Sequence, residues 1–109
     1  MEEKKLDIWL AEKVMGWHIV LLDRNVVPWY QKAEGIYFMK TYDWQPTKNI
    51  EQAFMLIEKN NIVMALDRDS VGDYECCILT NNEEYVHSGF YKSPSMAICQ
   101  AIYKLVENK

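Results

Sequence analysis

Glycine is scarce in this sequence. Four residues in 109 leave no room for a glycine-rich phosphate loop, and neither a P-loop nor a dinucleotide-binding fingerprint can be drawn. Cysteine is scarce too. Cys76, Cys77 and Cys99 form an odd set without framework spacing, which reads as free, buried thiols. Neighbours on a strand point to opposite faces, so Cys76 and Cys77 are poorly placed to share a partner. The two histidines, His18 and His87, make no close ligand pair with each other or with the cysteines, and neither a metal nor a cofactor is expected. No apolar run reaches the ~18 residues of a membrane span. The Met-Glu-Glu-Lys-Lys start leads into amphipathic sequence rather than a signal peptide. The expectation is a cytosolic protein with no membrane partner. Positive charge is also lacking: the formal net charge is −4, which argues against duplex nucleic acid as a partner.

What the chain has in quantity is aromatic surface, with seven Tyr, four Trp and three Phe. Such a load serves either a packed core or a surface for flat ligands and subunit contacts. The length suits one core, so residues 1–109 read as a single domain.

The clearest local signal is the junction Tyr42-Asp43-Trp44-Gln45-Pro46-Thr47-Lys48-Asn49-Ile50. Pro46 lacks an N–H and holds Gln45 extended, so strand or loop runs up to it. Thr47 and Asn49 can place side-chain oxygens on the orphan N–H groups of a helix start, and Asn49 with Gln52 is a variant capping box. Ile50, Ala53, Phe54 and Ile57 then share one face of a helix over 50–60, which Asn60-Asn61 can end in a left-handed turn. The same helix N-terminus could hold an anion, with Trp44 stacked on a base or ring beside it.

Other elements are placed around this junction. Leu6 to Val14 reads as a helix with Leu6, Trp9, Leu10, Lys13 and Val14 on one face, Asp7 and Glu12 elsewhere, and Gly16 as its stop. His18–Leu22 reads as a short strand, residues 23–35 as a loop around Pro28, and Ile36–Tyr42 as a strand with Ile36, Phe38 and Lys40 on one face. Residues 62–66, 74–80 and 84–91 read as strands joined by short turns, hence an antiparallel meander. Ser93 caps a last helix with Pro94 in its first turn, Ile98, Ile102, Leu105 and Val106 on its buried face, and a solvated 107–109 tail. The fold class is α+β: a mainly antiparallel sheet of four to five strands with three helices packed on it, an α-β-α sandwich.

Site chemistry is sparse. Asp67, Asp69 and Asp73 surround one turn, but Gly72 is misplaced for a calcium loop. A cysteine nucleophile would need a base such as His87 beside it. Lys4, Lys5, Lys13, Arg24 and Lys32 are interleaved with Trp17, Trp29 and Tyr30, a mix suited to a nucleotide-sized anion. Lys13 lies on a mostly apolar face. Either it snorkels past its neighbours, or it holds an anion near Trp17 and the 44–49 junction.

Three segments taken together carry a family resemblance. They are Leu10-Ala11-Glu12-Lys13-Val14-Met15-Gly16-Trp17, then Pro46-Thr47-Lys48-Asn49-Ile50 with Ala53 and Phe54, then Ala97-Ile98-Cys99-Gln100-Ala101. In that order they resemble the phage ABA sandwich domain family, small proteins encoded by phages and prophages. The family pattern has Ser, Asp, Trp and Arg where this chain has Thr47, Asn49, Phe54 and Gln100. The caps survive in kind, an aromatic is kept for the core, and an anion role at Gln100 is weakened. The resemblance implies a compact domain with sheet between helices and a phage or prophage origin, and supplies no reaction.

The expectation that follows is a non-enzymatic accessory protein acting by binding in the host bacterial cytosol. A concrete form is a homo-oligomeric sponge for a nucleotide-derived immune signal, a small anionic ligand met by Lys13, Trp17, Trp44, Thr47 and Asn49. A host or phage protein as partner is the alternative. A small nucleotide- or peptide-processing enzyme, with clustered carboxylates or a Cys near His87, is the further one.

Overall fold

The computed structural model describes residues 1–21, 28–33 and 36–107. These make two compact units, Met1–Gln45 and Pro46–Lys109. The first holds α1 (Glu3–Lys13), β1 (His18–Leu21), β2 (Pro28–Ala33), β3 (Ile36–Lys40) and a 3-10 turn at Thr41–Asp43. Its strands form an antiparallel sheet in the order β1-β2-β3. The second holds α2 (Ile50–Asn60), β4 (Val63–Arg68), β5 (Tyr74–Leu79), β6 (Tyr85–Tyr91) and α3 (Pro94–Glu107), with the sheet order β4-β5-β6. The expected α+β class with three helices stands. The single sheet of four to five strands does not: the described residues contain two three-stranded antiparallel sheets.

The extra strand is β2, which occupies much of the expected 23–35 loop. The rest of that loop, 22–27 and 34–35, lies outside the described residues, as do 108 and 109 of the expected tail. Proline is tolerated at the first residue of a strand, where Pro28 sits opposite Leu21. Register shifts around Gln31 break the even alternation by which a sequence announces a strand.

Alpha helix α1 buries Leu6, Asp7, Leu10 and Ala11, so its inner face is turned towards Asp7 from the one expected. Past the helix the chain folds back: Trp17 N–H donates to the Ala11 carbonyl at 3.0 Å. Gly16 makes this possible at φ +74°, a conformation that costs other residues energy.

In the second unit local chemistry is followed closely. Asn49 caps α2, its Oδ1 accepting from Gln52 N–H at 3.1 Å, and Asn61 ends it left-handed at φ 50°. The buried face is Ala53 and Leu56, while Phe54, expected in the core, is 41% exposed. Ser93 Oγ accepts from Met96 N–H at the start of α3. That helix buries Ala97, Ile98, Ala101, Ile102 and Leu105, and it packs on β5 and β6. The meander over 62–91 forms as expected. Its Asp69–Asp73 turn is closed by Asp69 Oδ1, which accepts from the N–H groups of Val71 and Asp73. At Gly89 (φ +85°) an extra residue bulges β6, so that Phe90 faces Glu75 and His87 faces Cys77.

Candidate functional site

Trp17 and Trp44 meet, but inside the first unit. Their ring centroids are 4.7 Å apart at an interplanar angle of 72°, and Trp17 makes a second edge contact of the same distance and angle with Phe38. Tyr30 tilts against Trp17 at 5.6 Å. The Trp44 indole N–H donates to the Asp7 backbone carbonyl at 2.8 Å, which ties the 3-10 turn to α1. Edge-to-face contacts of this kind add about 0.5–1.5 kcal/mol each beyond the area they bury. Trp17 is 5% exposed and Trp44 1%, so both rings spend their surface on this core.

Lys13 is exposed in the last turn of α1, where its charge also suits the negative helix end. Thr47 is buried and Asn49 exposed in the second unit, where Asn49 serves as the α2 cap. The five expected site residues thus divide between the two units, three and two.

A different cation holds aromatic company at the surface of the first unit. Lys40 stands opposite Trp29 across β2 and β3, and its Nζ lies 5.7 Å from the centroids of both Trp29 and Tyr42. Tyr42 is 53% exposed, and Lys40 and Trp29 are half-buried. Lys32 Nζ sits 4.6 Å from Phe38. These are cation–π distances, at which the ring faces attract positive charge. The alternation of β3 already put Lys40 on a face with Phe38. Its partner Trp29 was hidden in a segment that read as loop.

The outer face of the second sheet brings Cys77 and His87 together as cross-strand partners. Glu75 Oε1 lies 3.5 Å from His87 Nδ1. The residue types match a thiol, a base and an orienting carboxylate, but the electrostatics run the other way. Burial, then Glu75 and Asp67, push the Cys77 thiol above its ordinary range. A nucleophilic cysteine needs the reverse, a neighbourhood that favours thiolate. Cys76, on the inner face, is pushed up to about 11 by burial, Cys77 and Glu75.

The model of the phage ABA sandwich domain matches residues 8–103, which takes in most of both units. The chain belongs to the phage ABA sandwich domain family. Among solved structures it is similar to a phage protein from Bacillus cereus, at 20% identity and a TM-score of 0.67 over 94% of this chain and 89% of that one. At this identity the likeness speaks for the fold alone. No curated protein matches the chain. No helix among the described residues is long and apolar enough to cross a membrane.

Proposed function

We propose that this member of the phage ABA sandwich domain family is a non-enzymatic accessory protein of a phage or prophage that acts by binding. Its ligand is a small planar anion, of which a nucleotide-derived immune signal in the host cytosol is the concrete case. An oligomer would hold it and leave it chemically unchanged. The observation that carries this reading is Lys40 between Trp29 and Tyr42, an ammonium flanked by two rings with Tyr42 half in solvent. A phosphate can pair with the ammonium while a flat group stacks on a ring, the economy by which single-stranded nucleotides are held. Lys13 remains in the proposal as an exposed cation of the same unit. Trp17 and Trp44 support it from within, while Thr47, in the turn before α2, and Asn49, the α2 cap, belong to the other unit.

Native mass spectrometry of protein purified from bacterial lysate, before and after denaturation, tests this. A released phosphate-bearing molecule that disappears from Lys40→Ala protein is the expected result. A protein that leaves the lysate empty and takes nothing from a nucleotide-rich extract would end the small-ligand form.

One observation favours a protein partner as the second reading. Val63, Leu79, Tyr85 and Phe90 stand on the outer face of the second sheet and are 68%, 37%, 64% and 57% exposed. An apolar sheet face of this kind suits a protein contact. Tyr85→Ser and Phe90→Ser protein would then stop co-purifying with that partner while still binding nucleotide.

A further inference from the structure

A groove of about 590 Å³ lies within the second unit, inside the range of small-molecule sites. Its polar rims come from two places. Asn60 and Asn61 stand at the end of α2, and Thr80, Asn81, Asn82 and Glu84 belong to the turn between β5 and β6. Between them the lining is aliphatic, with Ile62, Ile78, Val86 and Leu105.

Both rims are held in place by the backbone. On one side, Asn61 closes α2 with its N–H on the Glu58 carbonyl, and the Asn60 amide donates to the Leu56 carbonyl at 2.8 Å. On the other, Thr80 N–H donates to the Glu84 carbonyl at 2.8 Å, and Glu84 N–H donates to Thr80 Oγ1.

The sign of the groove is the informative part. Among the described residues no Lys or Arg lines it, and Glu84 is its one charged side chain. A carboxylate only accepts hydrogen bonds, and each carboxamide adds an acceptor oxygen beside its N–H donors. The last turn of α2 adds the negative end of a helix dipole at the opposite rim, and Lys59 of that turn does not line the groove. The unit around it, residues 46–109, holds six Lys and Arg against nine Asp and Glu. An anion would meet the Glu84 carboxylate and no ammonium or guanidinium among the described lining.

We propose that this groove binds a free aliphatic polyamine, with its methylene stem on the Ile62–Ile78–Val86–Leu105 lining, one ammonium at Glu84 and another at the C-terminal end of α2. This goes beyond the anion reading, rests on other residues, and asks for a ligand of opposite charge.

The side-chain amide signals of Asn60, Asn61, Asn81 and Asn82 in nitrogen-15 NMR of the full chain report the site directly. Spermidine is expected to move them, butylamine to move them only at about tenfold higher concentration, and AMP to leave them in place. Glu84→Gln should weaken spermidine about tenfold, equal to about 1.4 kcal/mol. The variant keeps its fold, because the turn is closed by the Glu84 backbone. Asn82→Asp should strengthen binding, and Asp67→Asn on the outer sheet face should not change it. The proposal is overturned if spermidine moves none of these signals, if AMP moves them equally, or if Asp67→Asn costs as much as Glu84→Gln. Tighter binding of a lysine tripeptide than of spermidine would likewise overturn the free polyamine as occupant. Failure here leaves the Lys40 site untouched, since the two tests read different residues.

Discussion

Tyr30 is the most exacting single residue. It is fully buried beside Trp17, and its hydroxyl has no hydrogen-bond partner among the described residues. Burial first, then Asp7 and Glu12, push its pKa from 10 up to about 12. The fold therefore favours the neutral phenol. The resulting stability is present below pH 10 and is lost as pH rises from 10 to 12, on the order of 2–3 kcal/mol for two pKa units. Tyr30→Phe deletes an unpaired polar group, so at pH 7 it should be neutral or slightly stabilising. Urea unfolding of both proteins at pH 9 and pH 11 checks this: the parent should lose more stability than the variant across that interval. Equal losses would show that the phenol is not held neutral. Cysteine gives a second residue-scale prediction. Cys76 and Cys99 are buried and Cys77 is half-exposed, with its thiol pushed upward. Iodoacetamide at pH 8 should modify Cys77 slowly and first, and the other two only after unfolding, as peptide mass mapping over time would show. Rapid capture of Cys77 would instead revive the thiol-enzyme reading.

At the scale of elements, α2 is the piece whose construction can be tested most cleanly. Its N-cap bond is a single side-chain contact on an exposed residue, so Asn49→Ala should cost about 1 kcal/mol. Asn49→Ser, which keeps an acceptor, should recover most of it. The comparison is by denaturant midpoint at constant slope. This helix was also the most legible part of the sequence, since Pro46, Asn49, Gln52 and Asn61 act within a few residues of where they stand. The meander and the start of α3 were legible for the same reason. Strand β2 was not, because Pro28 and the shifts around Gln31 spoil its alternation, and only pairing with β1 and β3 defines it. The burial of Asp7 was hidden likewise: its carbonyl receives an indole N–H from 37 residues away. For the site, residue types were readable but not their exposure. A Trp beside a Lys in sequence says nothing of whether the ring ends in the core, as Trp17 does, or at the surface near an ammonium, as Trp29 does.

For the whole molecule the open question is how cooperatively residues 1–45 and 46–109 unfold, and the sequence offers two separate reporters. All four tryptophans, Trp9, Trp17, Trp29 and Trp44, lie in the first unit, so intrinsic fluorescence reports that unit. Of the helices, α2 and α3 belong to the second, with 11 and 14 residues against 11 in α1, so helical circular dichroism is weighted to the other. Size argues for one transition. Chains near 40 residues seldom fold alone without disulfides, metals or association, and the cysteines of this protein form no disulfide and all lie in the second unit. Below about 70–80 residues a single core rarely supplies more than 3–5 kcal/mol. Each unit falls under that limit, while the family domain spans both. Urea curves from the two probes should therefore coincide in midpoint and slope, the behaviour of a two-state domain. Separate midpoints would mean that the units are independently stable, and the expectation of a single domain over 1–109 would have to be given up. The outcome also governs how the binding tests are interpreted. With one transition, spermidine bound to the second unit must raise the fluorescence midpoint of the first by mass action, even though no tryptophan lines the groove. With two, it would raise only the dichroism midpoint.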